Sequence, residues 1–155
     1  IEVQPFYTED TVLLVSRQLL QTCGIDLAAH RTEIERGDLR ALRGCPFVSG
    51  SAEDITGSLE RDAFRRAGFV PEVRAESSNV ETLLELCARG VGACFCPENL
   101  ARLLLAAQPH GRLEMLRMPD TMAYPISFGY AKRAYLWSVL ADFIRIARAQ
   151  YPQPA

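Results

Sequence analysis

The sequence contains one lysine, two histidines and no long apolar run. Its apolar stretches stay under about ten residues, whereas a helix needs roughly 20 to cross a bilayer, so we expect no membrane segment and no signal peptide. Sixteen arginines supply almost all of the positive charge, but they form no basic run and the net charge is -2. Non-specific binding to nucleic acid is therefore not indicated.

Groups suited to catalysis or metal binding are also scarce. The five cysteines are an odd number, and the spacing of Cys94 and Cys96 is not that of a zinc site. Free, buried thiols in a reducing cytoplasm are the simplest interpretation. His30 falls in an irregular charged segment and His110 follows a proline, so we interpret both as surface residues. The sequence thus predicts a cytoplasmic protein with no catalytic residue, no metal site and no cofactor.

What the sequence does have is a regular alternation of helices and strands. The clearest unit is a helix over 79–89, for which Ser78 is the predicted N-cap and Glu81 completes a capping box. Its apolar face repeats at helical spacing in Val80, Leu83, Leu84 and Cys87. Gly90 ends the helix, and residues 91–96 are apolar on both faces, as in a buried parallel strand.

The same alternation runs from residue 45 to residue 118 in the order β-α-β-α-β-α-β. One helix is predicted over 51–68, capped by Ser51, with an apolar face at four-residue steps formed by Ile55, Leu59, Ala63 and Ala67. Pro97 is predicted to end strand 91–96 and to begin the next helix. Strands joined by helices of this length indicate a parallel sheet that is covered on both faces.

Three elements lie outside that run. They are a strand over 11–16, a strand over 126–131 and a last helix over 135–150. We assign them to a partial first lobe made of residues 1–17 and 124–155.

The second lobe is then predicted to be residues 18–123. Irregular crossings near 17–44 and 119–125 would form a hinge between the lobes. Mixed charges and glycines predict loops and short helical turns over most of 18–43.

Ligands in open α/β sheets bind at the carboxyl ends of strands. This rule selects three loops, namely Ser49-Gly50-Ser51, Ser77-Ser78-Asn79 and Pro97 with the two residues after it. Two of the loops are rich in hydroxyl groups and precede helices, whose free N–H groups favour a carboxylate, a sulfate or a similar anion. Each serine also suits an ordinary helix cap, so capping and ligand contact both remain open. Tyr130, near the end of its strand, could add a further hydroxyl.

Taken in order, several segments resemble the effector-binding domain of LysR-type transcriptional regulators. Cys45-Pro46-Phe47-Val48-Ser49 is similar to the family's entry into its second lobe, and Gly68-Phe69-Val70-Pro71 to a later link. The most telling segment runs from Glu76 through Ala88-Arg89-Gly90-Val91-Gly92 to Pro97. The ending, ISFGY with its helix, resembles the family's return strand and last helix. The resemblance covers nearly the whole chain.

The resemblance implies an α/β fold of the type II periplasmic-binding-protein-like class, with one lobe complete and the other partial because the chain is N-terminally truncated. It implies a small effector between the lobes, which the strand-end loops predict to be an anion, contacted by the Ser49 loop, Ser77, Ser78 and Tyr130. It also implies self-association as a dimer or tetramer, and DNA binding only through an N-terminal helix-turn-helix domain that this sequence lacks. A solute-binding protein of a transport system is an alternative function, and an enzyme on the same fold is a third.

Overall fold

The computed structural model describes residues 1–107, 112–132 and 137–151. The chain divides into a larger compact unit, Asp10–Ala123, and a smaller one formed by Ile1–Glu9 and Tyr124–Ala155. Among the described residues, no helix has the length and apolar character needed to cross a membrane.

The helices and strands follow one another in the order expected of a mixed α/β protein. In chain order they are β1 (Glu2–Glu9), β2 (Thr11–Ser16), α1 (Arg17–Thr22), α2 (Leu27–Glu35), β3 (Pro46–Gly50), α3 (Ile55–Ala67), β4 (Glu72–Ser77), α4 (Val80–Ala88), β5 (Cys94–Pro97), α5 (Glu98–Ala107), β6 (Leu113–Arg117), β7 (Tyr124–Tyr130) and α6 (Ser138–Gln150). Single 3₁₀ turns lie at Arg40–Leu42 and Asp120–Met122.

The sheet of the larger unit has the strand order β4-β3-β5-β2-β6. β3 and β4 are parallel, and a parallel bridge between Phe47 and Ala93 places β5 on the other side of β3. β2 lies between β5 and β6 and is antiparallel to both. The predicted parallel arrangement is therefore correct for β3, β4 and β5. The prediction that strand 11–16 belongs with strand 126–131 is wrong, because β2 is the central strand of this other sheet.

The two faces of this sheet carry separate hydrophobic clusters. Leu13 and Val15 of β2 pack in the cluster that includes α1, α2 and α3, while Val12 and Leu14 pack in the cluster that includes α4 and α5. All six residues of β2 are buried. Because alternate side chains of a strand point to opposite faces, a strand covered on both sides must be apolar at consecutive positions, as β2 is from Val12 to Val15.

The segment predicted as loops and short helical turns holds two short helices and the 3₁₀ turn at Arg40–Leu42. The side chain of Ser16 caps α1 by accepting a hydrogen bond from the Leu19 N–H at 3.1 Å. Asp26 caps α2 by accepting one from the Ala28 N–H at 3.0 Å. Each helix buries only one or two side chains, among them Ile34 of α2. Helices this short show too little apolar periodicity to be detected by pattern, and their caps are the stronger signal.

The N-cap of α4 lies one residue later than predicted. Asn79 is the N-cap, and its Oδ1 accepts a hydrogen bond from the Thr82 N–H at 2.9 Å. The predicted capping box of Ser78 and Glu81 is therefore wrong. The predicted helix end is correct, because Gly90 adopts the left-handed backbone conformation with φ 75°.

The smaller unit is built on an antiparallel pair of strands, β1 and β7, whose register runs from Glu2 opposite Tyr130 to Glu9 opposite Tyr124. The strand β1 was not predicted from the sequence. Along β7, alternate side chains of Ile126, Phe128 and Tyr130 are partly buried, as predicted. The helix α6 packs on this pair, with ring centroids of Phe128 and Phe143 6.0 Å apart. Its predicted first residues, 135 and 136, lie outside the described residues.

Candidate binding site

Two of the predicted serine loops lie side by side at one edge of the large sheet. Since β3 and β4 are parallel, their carboxyl ends reach the same edge, with Ser49 opposite Glu76 and Gly50 opposite Ser77. Neighbouring strands are about 5 Å apart. A ligand at this edge can therefore contact residues of both loops at once.

An open cavity of about 360 Å³ lies between α3, β3 and β4 and reaches from this edge to the segment that precedes β4. One part of its wall is apolar and consists of Phe64, Phe69, Val70, Pro71 and Val73. The rest is polar or small and consists of Ser49, Gly50, Gly57, Glu60, Arg61, Arg65 and Glu76. Small-molecule sites usually have volumes of about 300–1,000 Å³ and combine an apolar wall with a few polar groups. The cavity therefore has the size and composition to hold a small molecule with an apolar part.

The main polar group of the cavity is the carboxyl of Glu60, which is only 3% exposed. The hydroxyl of Ser49 donates a hydrogen bond to Glu60 Oε1 at 2.6 Å. The backbone N–H of Gly50 donates a longer one to Oε2 at 3.4 Å. Both carboxyl oxygens thus have partners from the end of β3, and the side chain fixes α3 to the predicted loop.

Burial raises the pKa of Glu60 from 4.5 to about 7, because the charged form loses the solvation that water gives it. The hydrogen bonds from Ser49 and Gly50 and the positive charge of Arg61 act in the opposite direction. Glu76, also negative, adds to the rise. Glu60 can consequently exist in either protonation state near neutral pH.

Glu60 was not predicted from the sequence, because the predicted apolar face of α3 is rotated relative to the buried one, although Leu59, Ala63 and Ala67 do pack against the core. The buried residues of α3 are Gly57, Glu60, Ala63 and Phe64, whereas Ile55 is 51% exposed. These four residues have the i, i+3, i+6 and i+7 spacing of one helical face. A single carboxylate within that stripe was the available signal, since a charge on a buried face requires hydrogen-bond partners.

Gly57 allows α3 to approach the loop after β3. A Cβ atom at this position would lie 2.2 Å from the carbonyl oxygen of Ser51 and 2.8 Å from that of Gly50. The sequence indicated only that a glycine weakens the start of the helix. The contact explains the residue, because any side chain here would push the loop away from Glu60.

We expect Gly57→Ala to destabilise the chain by about 1–3 kcal/mol, as overpacking does, although alanine is the better helix former. The neighbouring substitution Ser58→Ala is the matched control, because Ser58 is exposed on the same turn. Urea unfolding followed by circular dichroism measures both. Stabilisation by Gly57→Ala would show that the loop moves freely and that the close approach is not a constraint.

The other serines of the two loops make local turns and do not cap helices with their side chains. Ser51 Oγ accepts from the Glu53 N–H at 3.4 Å, and Ser77 Oγ accepts from the Asn79 N–H at 3.1 Å. The prediction that Ser51 caps the helix is wrong, because α3 begins at Ile55 after Asp54. Ser51, Ser77 and Ser78 are close to the cavity in sequence but do not line it.

The other two predicted site residues, Pro97 and Tyr130, belong to other strands. Pro97 is the last residue of β5 and pairs with Thr11, so the helix α5 begins at Glu98 and not at the proline. Tyr130 belongs to the smaller unit, where its hydroxyl is hydrogen-bonded to the side-chain amide of Gln4. Within the larger unit the structure therefore joins Ser49 and Gly50 with Glu60, and Pro97 is not among the residues that line the cavity.

The remaining reactive residues of the described part have ordinary roles. His30 is exposed and lies 3.0 Å from Glu33, while His110 is outside the described residues. All five cysteines are free, and four of them are buried. Hydrogen bonds to Cys87 and Cys96, together with burial, raise the pKa of Cys94, which therefore stays protonated. Within the residues that the structure describes, no three metal-ligating side chains come together.

Comparison with solved structures identifies the same fold in several bacterial regulators. The CcmR regulatory domain of Synechocystis PCC6803 in complex with 2-PG has a TM-score of 0.70 and 17% sequence identity, over 99% of this chain and 69% of that one. The effector-binding domain of QuiR in complex with shikimate has a TM-score of 0.59 and 14% identity, over 97% and 64%. Full-length CbnR in complex with its target DNA has a TM-score of 0.60 and 19% identity, over 97% and 48%.

The chain thus spans about half of the full-length regulator and about two thirds of the isolated domains. At these identities the structural likeness supports the fold alone. A search of curated proteins gave no match. The family model described as the LysR substrate binding domain matches residues 1–152, nearly the entire sequence. With its type II periplasmic-binding-protein-like α/β fold, the chain belongs to the family of LysR substrate-binding domains.

Proposed function

We propose that this chain is the effector-sensing domain of a LysR-type transcriptional regulator and that it has no catalytic activity. The observation that carries the proposal is the cavity of about 360 Å³ beside Ser49 and Glu60, at the carboxyl edge of the sheet. The family supports it, and so do structural neighbours whose domains were solved with 2-PG and with shikimate. By the same likeness, the regulator acts in the cytoplasm.

The proposed effector is a small anion with an apolar part. Arg61 and Arg65 of α3 line the cavity and provide positive charge, while Phe64 and Phe69 provide apolar surface. Ser49 and Gly50 are the proposed direct contacts. Ser51, Ser77 and Ser78 are proposed contacts at the same edge, and Pro97 and Tyr130 remain proposals from sequence.

The proposed output is a change in DNA binding and hence in transcription, in a dimer or tetramer of the regulator. This part rests on the family and on the neighbour CbnR, which was solved with its target DNA. An enzymatic role has little chemical support at Ser49. Its hydroxyl donates to the Glu60 carboxyl, and the described residues that line the cavity include no histidine or lysine that could complete a nucleophile–base arrangement with this pair.

The proposal predicts that a small carboxylate, sulfate or amino acid stabilises the chain against heat. At a ligand concentration 100 times Kd the stabilisation is about 2.7 kcal/mol. A thermal-shift screen finds such ligands, and isothermal titration then measures the effect of Ser49→Ala. We expect that substitution to weaken binding about fivefold, since one hydrogen bond contributes about 1 kcal/mol.

Ser58→Ala serves again as control, because Ser58 is an exposed serine outside the cavity and should leave affinity unchanged. A ligand that binds wild type and Ser49→Ala equally would place the effector site elsewhere. The absence of a response to every compound in the screen would count against a sensing role.

A further inference from the structure

We propose that Glu60 determines which ligands the cavity accepts: an anion binds at Ser49 only when Glu60 carries a proton, so that anion binding takes up one proton from solution. This inference rests on the proposed sensing function and adds its ligand chemistry and its regulation by pH. It follows from how three groups, Ser49, Gly50 and Glu60, share their hydrogen atoms.

In the ionised form, Glu60 can only accept hydrogen bonds. Ser49 then gives its single hydroxyl hydrogen to Oε1, at 2.6 Å, and Gly50 gives its N–H to Oε2. Ser49 can present only lone pairs to the cavity, with a buried negative charge directly behind them. A carboxylate or sulfate placed there meets acceptors in place of donors and is repelled.

Protonation reverses the direction of one hydrogen bond. The proton is best placed on Oε1, because Oε2 already accepts from the Gly50 N–H, which cannot turn around. The neutral carboxyl then donates to Ser49 Oγ across the same 2.6 Å. The hydroxyl hydrogen of Ser49 is released and can be donated to an anion. One added proton thus removes the repelling charge and supplies a donor.

The surroundings allow both states near neutrality. The charged groups that line the cavity with Glu60 are Arg61 and Arg65 on α3 and Glu76 on β4. Arg61 Nη2 donates to the backbone oxygen of Ala52, so it does not form a direct ion pair with Glu60. Burial consequently dominates, and the pKa of Glu60 rises to about 7.

The probe for the test is benzoate, a carboxylate with an apolar ring, compared with benzamide, its neutral counterpart. Isothermal titration of the chain at pH 6 and pH 9 measures the apparent Kd of each. If only the protonated form binds benzoate, the competent fraction falls with pH, and the affinity of wild type drops about 100-fold over this range. Titrations at pH 8.5 in two buffers of different ionisation enthalpy should show uptake of close to one proton.

Two substitutions separate the proposed role from a simple change in charge. In Glu60→Gln the amide N–H₂ can donate to Ser49 and its oxygen can accept from Gly50, so the donor state is permanent. We expect benzoate affinity in this variant to change less than about twofold between pH 6 and pH 9. Glu76→Gln removes a nearby charge on β4 without altering these hydrogen bonds, and it should keep the pH dependence of benzoate affinity, with a midpoint at slightly lower pH because Glu76 adds to the rise in the pKa of Glu60.

A readout without any ligand is the NMR titration of the Gly50 amide, whose resonance should shift with a midpoint near 7 in wild type and not in Glu60→Gln. Benzoate affinity that is independent of pH in wild type would overturn the proposal, as would a pH dependence that persists in Glu60→Gln. Binding of benzamide with no binding of benzoate at pH 6 would also overturn it. That last result would leave the sensing function intact, so failure of this proposal can be told apart from failure of the proposed function.

Discussion

Phe47→Ala is expected to lower the free energy of unfolding of the larger unit by about 3–5 kcal/mol, the range measured for large aromatic deletions in cores. Phe47 is completely buried in β3. Its ring contacts Phe64 of α3 edge-on at 4.7 Å and lies parallel to Phe95 of β5 at 6.2 Å. Its removal leaves a cavity between the sheet and α3, the helix that carries Glu60.

The matched control is Phe143→Ala, since Phe143 is 58% exposed on α6. We expect that substitution to cost about 1 kcal/mol or less. Urea denaturation followed by circular dichroism measures both variants. Phe47→Leu retains much of the volume and should lie between wild type and Phe47→Ala. Equal losses at Phe47 and Phe143 would contradict the assigned position of the core.

The stability of the chain should fall as pH rises, by about 3 kcal/mol between pH 4.5 and pH 8 through Glu60 alone. Its pKa is raised from 4.5 in the unfolded chain to about 7 in the fold. Between these values the folded state holds a proton that the unfolded state has lost. The stabilisation is therefore complete below pH 4.5 and disappears through pH 7, at about 1.4 kcal/mol for each tenfold change in proton concentration.

Comparison with Glu60→Gln isolates this contribution, because all other titrating groups are common to both proteins. Denaturation in urea at several pH values gives the difference in unfolding free energy between them. Between pH 4.5 and pH 8, wild type should lose about 3 kcal/mol of unfolding free energy relative to Glu60→Gln. A constant difference would mean that the carboxyl reaches solvent in the folded state.

The features that could be predicted from sequence are those set by neighbours along the chain. The helix α4, its end at Gly90 and the strand after it depend on local periodicity and on one glycine. Gly92 has a cause that is not local, because a Cβ there would lie 2.6 Å from the carbonyl carbon of Phe47. The glycine was visible in the sequence, but the strand that approaches it was not.

The position of β2 in the sheet could not be predicted from the sequence. An apolar run such as TVLLVS predicts a buried strand but contains nothing that selects its partners, since hydrogen bonds between strands are the same for every sequence. The binding site could likewise be predicted only in part. The serine loops could be predicted because they lie at the ends of strands. Glu60 could not be predicted, because its burial depends on which face of α3 packs on the loop after β3, where Gly57 allows the close approach.

The central place of β2 also governs the order in which the protein can be assembled. Leu14 lies near the start of the chain, yet its strand partners are Cys94 and Met115. During synthesis, this strand, with four consecutive apolar residues from Val12 to Val15, must remain unpaired until the segments that carry Cys94 and Met115 have left the ribosome. Long-range pairing of this kind makes folding slow and exposes apolar segments to aggregation in the meantime. Chaperone dependence and yield on expression are accordingly expected to respond more strongly to substitutions in β2 than to those in any surface helix.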